Sequence, residues 1–298
     1  MNRVLPILTV VFGLIVVWYA GAVLMNAQWT YDQAARAGVE VTFSDVIRDT
    51  MAQEKPRLPP PHQVLAELKA SIIDVAPNNK RSLIYHGWIT LQTTLIGFVL
   101  GLIIGVTLAI AIVKSRTVEM GVMPWAVISQ TIPIVALAPM IVVVFGKAEW
   151  VKALADLMGV APHVLSKAVI AAYLSFFPVL VSMVKGLRSP DPMQLDQLRT
   201  WNANGTQEFF KLRLPASLPY LIAAFKVSLA AALVGTIVGE LPTGAINGLG
   251  ARMLVGNQFG QPIIMWAALV AATTLAAALI MIVGLAEKGL LRLMEARP

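Results

Sequence analysis

The side chains of this sequence that could do chemistry are few and lie far apart. Its three histidines, His62, His86 and His163, stand singly, without the spacing to a second histidine or a carboxylate that holds zinc. The chain has no cysteine, which excludes thiol catalysis and thiolate metal sites. We therefore predict no catalytic residue and no metal site in this chain.

Nucleotide-binding motifs are also missing. No Gly-rich loop ends in Gly-Lys-Ser/Thr, the pattern that cradles phosphates. Gly248, Leu249 and Gly250 begin like a dinucleotide fingerprint, but Met253 occupies the place of the third glycine and no predicted strand precedes them. We predict that the chain is not an enzyme and binds no cofactor.

The composition indicates a bilayer protein. Hydrophobic residues make up 57% of the 298 residues and charged residues only 13%, whereas soluble domains are about a quarter charged. This excludes an ordinary soluble enzyme and a disordered chain. The net charge of +7 fits lysines and arginines on the cytoplasmic side of a membrane, so we expect a lipid partner and no nucleic acid.

Six apolar runs are long enough to cross a bilayer core about 30 Å thick. Lipid offers no partner for backbone N–H and C=O groups, so such continuous runs form helices. The predicted fold is all-α with six transmembrane helices. The first run is too long for a secretory signal, and we expect an uncleaved helix. The runs cover residues 4–25, 88–113, 122–145, 164–184, 216–239 and 263–286.

Basic residues set the predicted orientation, with both termini in the cytoplasm. They collect in the segment between the fourth and fifth runs, where they are Lys185, Arg188, Arg199, Lys211 and Arg213. Lys167 and Lys226 lie near span ends, where we expect them to snorkel to the headgroups. No run has a central carboxylate of the kind that proton-coupled carriers use. The sequence thus predicts a membrane path whose energy comes from another subunit.

Two connections between the runs are long. Residues 26–84 form a predicted extracytoplasmic loop, in which apolar residues at helical spacing after Pro61 indicate an amphipathic helix ending near Pro77. That helix could pack in the loop or contact a partner. Residues 185–214 form a predicted cytoplasmic loop with helix-forming stretches on either side of residues 202–204.

Small residues recur every fourth position on two runs. Gly97, Gly101 and Gly105 share one face of the second run, and Gly235 and Gly239 share a face of the fifth. This spacing lets helix backbones approach closely in a membrane. We expect helix-packing faces, with a glycine-lined pore as the alternative.

The loop at 185–214 resembles the cytoplasmic motif of permease subunits in bacterial ABC importers, which reads Glu-Ala-Ala, three residues, Gly, nine residues, Ile-x-Leu-Pro. Asp196 stands for the glutamate, Asn202 for the glycine, and Leu214 and Pro215 end the pattern. Asn is the residue that best replaces glycine at positive φ, and Pro215 suits the first turn of the fifth span.

Further segments resemble the subfamily that imports sulfonates, taurine and nitrate, over residues 58–253. They are residues 58–65, residues 130–146 with Gln130, Pro133 and Pro139, Phe176 to Pro178, and Glu240 with residues 248–250. Residues 26–57 and 147–163 look longer than is usual for the family. From the resemblance together with the apolar runs, we predict a first transmembrane helix at 1–25, an extracytoplasmic loop at 26–84, a five-helix permease core at 85–286 with a coupling loop at 185–214, and a cytoplasmic tail at 287–298.

The family resemblance also implies partners. Two permease chains, expected to be identical, form the path; two ATP-binding cassette subunits bind ATP and contact the cytoplasmic loops; an external binding protein delivers the solute. Residues 196–215 would then form the coupling helix. Phe209 and Phe210 either anchor it in an ATPase groove or hold it against the spans. Localisation in the bacterial inner membrane follows.

Gln130, Pro133 and Glu240 are the candidates for the translocation path or its outer gate, with solvation at the membrane surface as the alternative for Gln130 and Glu240. For Pro133, a packing kink is the alternative. The expected solute is an organosulfonate, taurine or nitrate; a pyrimidine or other heterocycle is the alternative. A membrane scaffold that moves nothing and a stand-alone carrier are the rival functions.

Overall fold

The computed structural model describes residues 4–241 and 247–295, which are helical with no strand among them. Five of the helices are long and apolar enough to cross a membrane, and a bent helix pair makes a sixth candidate. The helices are α1 (Val4–Ala37), α2 (Phe43–Thr50), α3 (Pro61–Lys69), α4 (Leu83–Lys114), α5 (Arg116–Ser129), α6 (Ile134–Lys147), α7 (Glu149–Met158), α8 (Pro162–Leu187), α9 (Pro192–Thr200), α10 (Gly205–Glu208), α11 (Leu214–Glu240), α12 (Leu249–Gln258) and α13 (Pro262–Glu295).

Two compact units divide these helices. The first contains α1 to α3, α4 as far as His86, α12, and α13 as far as Ala272. The second contains the rest of α4, α5 to α11, Gly248, and α13 from Thr273.

In the first unit, α1 continues past the predicted span to Ala37. The buried Asn26 side chain holds this helix to the chain before α3: its Nδ2 donates to the Leu58 carbonyl at 2.9 Å, and its Oδ1 accepts from the Arg57 amide at 2.8 Å. Thr30 donates to the Asp49 carboxylate of α2 at 2.7 Å. The start of the predicted loop is therefore a packed helical extension.

The predicted amphipathic helix is α3, which runs into a π-helical turn at Ala70–Asp74 and ends before Pro77. Its Val64 is buried, while Leu65 and Ile73 are exposed. Trp18 of α1 donates from its indole to the Pro59 carbonyl at 3.0 Å, just before α3. The proline run is thus held to the first helix by a side-chain hydrogen bond.

The third predicted span is not one straight helix. It is the pair α5 and α6, which meet at 105° across a short break. Pro133 is the N-cap of α6, with an extended backbone at φ −60° and ψ 112°. Proline has no N–H to donate and disfavours helical backbone in the residue before it, so the helix ends ahead of Pro133 and restarts in a new direction.

In the second unit, α8 packs against α4 and α11 through small residues. A Cβ added to Gly101 would lie 2.0 Å from the Ser175 Oγ, and one added to Gly105 would lie 2.7 Å from the Phe176 carbonyl oxygen. On the other side, a Cβ added to Gly239 would meet Ile170 at 3.0 Å. Glycine at these positions lets the backbones approach, as the spacing predicts.

Candidate functional site

The segment between α8 and α11 forms a helix-turn-helix. Asp191 caps α9 by accepting a hydrogen bond from the Met193 amide at 2.7 Å, and Pro192 follows at the first helical position. Asn204 caps α10 by accepting from the Gln207 amide at 2.8 Å. Both caps satisfy N–H groups that a helix start leaves unpaired. We call residues 191–213 the α9–α10 element.

Asn202 makes the turn of the α9–α10 element. Its φ is 52°, and it is the one non-glycine residue with positive φ in the part of the chain that the structure describes. Asn tolerates this left-handed backbone better than other residues that carry a side chain. The residue that replaces the family's glycine therefore adopts a conformation typical of glycine.

The structure separates the two phenylalanines of the element. Phe209 is 9% exposed and packs with Ile112 of α4 and Leu187 of α8. Phe210 is 61% exposed. Phe209 therefore fits the interpretation of an anchor that holds the element to the spans, and Phe210 is the one available to a partner.

Polar contacts join the element to α8. Arg213 donates from Nε to the Glu208 carboxylate at 2.6 Å and from Nη1 to the Leu187 carbonyl at 3.1 Å. The Lys114 ammonium lies 5.2 Å from the centre of the Phe209 ring, which is cation–π range. The element is thus attached to the ends of α4 and α8 by charge as well as by packing.

Two exposed apolar residues of the element did not figure among the predicted site residues. Met193 is 78% exposed and Trp201 is 69% exposed. A large apolar side chain inside a polar loop was the signal available in the sequence. Asp196, a predicted coupling residue, is exposed and pairs with Arg199 at 3.0 Å, while Leu214 and Pro215 begin α11.

The end of α8 next to the element carries an exposed ion pair. Arg188 donates from both terminal nitrogens to the Glu119 carboxylate of α5, at 2.9 and 2.7 Å. This hydrogen bonding raises the pKa of the Arg188 guanidinium above its ordinary value. The pair fixes the start of α5 beside the end of α8.

Glu240, the last residue of α11, is fully buried. The Thr90 hydroxyl of α4 lies 2.9 Å from one carboxylate oxygen and 3.1 Å from the other. The alternative of a solvated surface residue therefore does not fit Glu240. One helical turn away from this contact, the Thr94 hydroxyl of α4 donates to the Thr236 hydroxyl of α11 at 3.1 Å. Buried polar contacts therefore join α4 to α11 at two successive turns.

Of the two lysines expected to snorkel, Lys167 does not do so. Lys167 is 1% exposed, and its ammonium donates to the Asn247 carbonyl at 3.2 Å. Lys226 pairs with the Glu287 carboxylate of α13. The expectation for Lys167 was wrong because a carbonyl distant in sequence offers its ammonium a hydrogen-bonding site inside the protein, whereas the Lys226 side chain stays 39% exposed.

The other predicted path residues lie at the break between α5 and α6. Gln130 is half-buried and donates to the Ser129 hydroxyl at 3.2 Å, and Pro133 is exposed. Tyr173 of α8 donates its hydroxyl to the Ser129 carbonyl. The break is therefore tied to α8 beside Gln130.

No group of three or more potential metal ligands occurs among residues 4–241 and 247–295. These residues form a helical bundle with buried polar contacts at one place and an exposed, well-capped helix-turn-helix at another.

Residues 97–293 match the family described as "Binding-protein-dependent transport system inner membrane component". The chain belongs to this family and is an ABC transporter permease, a multi-pass inner membrane protein. The resemblance found in the sequence is thereby confirmed.

Three curated relatives illustrate the family. A probable ABC transporter permease of Haemophilus influenzae is 33% identical over 62% of this chain and 69% of its own length. The formylaminopyrimidine transport permease ThiX of Halalkalibacterium halodurans is 33% identical over 58% of this chain and 63% of its own. The putative aliphatic sulfonates transport permease SsuC of Bacillus subtilis is 28% identical over 59% and 58%. The matched part thus spans roughly six to seven tenths of these relatives.

Among solved structures, the inward-facing MetNI methionine ABC transporter has a chain of similar fold. The TM-score is 0.50 at 19% identity, covering 70% of this chain and 94% of that one. The similarity establishes the all-helical permease fold.

Proposed function

We propose that this chain is the membrane subunit of an ATP-driven importer, in which it forms the solute path together with a second, identical chain. Two ATP-binding cassette subunits bind ATP and contact the α9–α10 element. A separate external binding protein delivers the solute. Both termini of the permease lie in the cytoplasm, on the side of the α9–α10 element.

One observation carries the proposal: the α9–α10 element keeps its folded turn although the residues of the family motif have changed. Asn202 supplies the positive φ, 52°, in place of glycine. The element then turns Phe209 inward and leaves Phe210 exposed. An element that is firmly joined to the bundle and exposes Met193, Trp201 and Phe210 suits docking to another subunit, because methionine and aromatic side chains are enriched at protein interfaces.

The attachment of the α9–α10 element to the bundle explains how movement of a partner subunit is transmitted to the membrane-spanning helices. Arg213 and Phe209 tie it to the ends of α8 and α4. When the ATPase subunits close on ATP, they displace the element as a rigid body, and the helices joined to it move with it. The tight contacts of Gly101 and Gly239 with α8 carry that displacement along the bundle. Hydrolysis resets the arrangement, so ATP binding shifts the population between two states.

The solute class proposed first is a small heterocycle of the aminopyrimidine kind. A relative named for formylaminopyrimidine transport is 33% identical, compared with 28% for one named for aliphatic sulfonates. The sulfonate, taurine or nitrate class, expected from the sequence, is the second candidate. Uptake assays with both solute classes decide between them.

The decisive experiment reconstitutes the chain in lipid vesicles with and without its ATPase and binding-protein partners. We expect ATP-dependent solute uptake only when all components are present. A membrane scaffold would show no uptake in either case. A stand-alone carrier would accumulate solute from an ion gradient without the ATPase, and that result would overturn the proposal.

A further inference from the structure

A buried acid at the end of α11 and a buried base of α8 both approach the turn at Asn247 and Gly248. Glu240 of α11 has no exposed surface, and Lys167 of α8 is 1% exposed. The ammonium of Lys167 donates to the Asn247 carbonyl at 3.2 Å. A buried charge is costly unless an opposite charge and hydrogen bonds compensate it, and here the ammonium and the carboxylate approach consecutive residues of one turn, Asn247 and Gly248.

Gly248 lies close against the Glu240 carboxylate. A Cβ added to Gly248 would lie 2.1 Å from Oε1 and 2.5 Å from Oε2 of Glu240. The φ of Gly248 is 119°, a backbone conformation that side-chain-bearing residues rarely adopt. The backbone of this turn is therefore shaped to approach the carboxylate directly.

Thr90 brings a third helix into the same cluster. Its hydroxyl is within hydrogen-bond distance of both Glu240 oxygens, and its side chain is fully buried. The carboxylate thus contacts α4 and the Gly248 turn at once, while the ammonium from α8 holds the residue just before Gly248.

We propose that Glu240 and Lys167 form a positioning clamp that holds the turn at Asn247 and Gly248 and fixes the ends of α4, α8 and α11 relative to one another. Glu240 is therefore a positioning residue rather than a group that contacts the solute. The clamp is a property of the folded chain; its assignment to the outer, solute-receiving end of the bundle rests on the proposed function.

A charge-pair cycle tests the clamp. Glu240→Gln keeps the shape of the side chain but removes its charge, so Lys167 is left buried without a compensating anion. We expect a lower thermal midpoint for this variant in detergent. Lys167→Met combined with Glu240→Gln removes both charges and should recover most of the loss. Glu149→Gln is the control, because Glu149 is an exposed carboxylate paired with Lys152 at 2.8 Å, and it should change nothing.

Distances between labels test the positioning directly. The chain has no cysteine, so Trp88→Cys and His163→Cys place spin labels only at the starts of α4 and α8. We expect one narrow distance distribution without further substitution, a broadened one with Glu240→Gln, and a narrow one again when Lys167→Met is added. Unchanged midpoint and distances in Glu240→Gln would overturn the clamp, as would a double variant no better than the single one.

Transport supplies the functional readout. In the vesicle system described above, uptake should fall severalfold with Glu240→Gln and recover with the double variant. If the unsubstituted complex fails to take up solute, the proposed function fails, but the midpoints and label distances still decide the clamp.

Discussion

Gly97 of α4 and Ala171 of α8 approach so closely that a Cβ added to Gly97 would lie 2.3 Å from the Ala171 Cβ. A second glycine also approaches Ala171: a Cβ added to Gly235 of α11 would lie 2.9 Å from the Ala171 Cα. One alanine is thus enclosed between glycines of two helices. In lipid, such close backbone contact replaces the hydrophobic drive that packs helices in water.

Gly97→Ala should therefore destabilise the second unit. Neither the Ala171 Cβ nor the Ala168 carbonyl, 2.7 Å away, can rotate aside, so the helices must separate. We expect a cost of about 1–3 kcal/mol, measured as a lower thermal midpoint and a smaller folded fraction in the membrane.

Gly87→Ala is the matched control on the same helix. Nothing lies within 4 Å of a Cβ added there, and alanine favours helix over glycine by about 0.5–1 kcal/mol. It should leave stability unchanged or slightly improved. Equal effects of the two substitutions would contradict the packing explanation.

The spans could be predicted because each depends on a local property, a continuous apolar run that must be helical in lipid. The glycine faces could be predicted for a similar reason, since a spacing of four residues fixes which side chains share a helix face. The turn at Asn202 followed from the tolerance of Asn for positive φ.

The remaining features depend on contacts that sequence spacing does not reveal. The extension of α1 carries polar residues such as Asn26 and Thr30, whose partners are Leu58 and Asp49. Those partners cannot be identified from the sequence, so the polar residues predict a loop. The proline at 133 was visible, but the 105° bend also depends on how α5 and α6 pack. Lys167 finds its carbonyl at Asn247, distant along the chain.

Asn202 offers a test of the turn. Asn202→Gly should preserve ATPase binding, because glycine adopts the φ of 52° without strain. Asn202→Val should weaken it, because a β-branched residue is strained in the left-handed region, where even an unbranched side chain costs about 1–2 kcal/mol. Co-purification of the ATPase subunits measures the difference.

Ala203→Val serves as the control for side-chain size, since Ala203 follows Asn202 but is not among the positive-φ residues of the described chain. It should retain ATPase binding. If Asn202→Gly and Asn202→Val bound the ATPase equally well, the conformation of the turn would not matter for docking.

Replacing Phe209 with alanine should lower the stability of the permease, whereas replacing Phe210 with alanine should lower its binding to the ATPase. Phe209→Ala leaves a cavity among Ile112 and Leu187, and truncation of a buried phenylalanine costs about 3–5 kcal/mol. The thermal midpoint of the purified permease should fall.

Phe210→Ala should leave that midpoint almost unchanged, because the side chain is 61% exposed. It should reduce ATPase co-purification and uptake, with Trp201→Ala having a similar effect. Full uptake in a Phe210→Ala, Trp201→Ala double variant would show that these exposed side chains do not contact the ATPase.

The Asn26 side chain should hold the segment between α2 and α3 in its folded position. Its side chain accepts from the amides of Arg57 and Leu58 and donates to the Leu58 carbonyl. Asn26→Leu removes these hydrogen bonds to the backbone, and each lost bond costs about 0.5–1.5 kcal/mol. The bond after Arg57 should then become accessible to trypsin.

Limited proteolysis of the purified protein measures this release as the rate at which the fragment ending at Arg57 appears. Asn78→Leu is the control, since Asn78 is exposed and its replacement should leave the cleavage rate as it is. Because Trp18 also holds the neighbouring Pro59 carbonyl, at 3.0 Å, a Trp18→Phe substitution added to Asn26→Leu should accelerate cleavage further. Equal cleavage rates in all four proteins would mean that this segment is ordered by contacts other than those of α1.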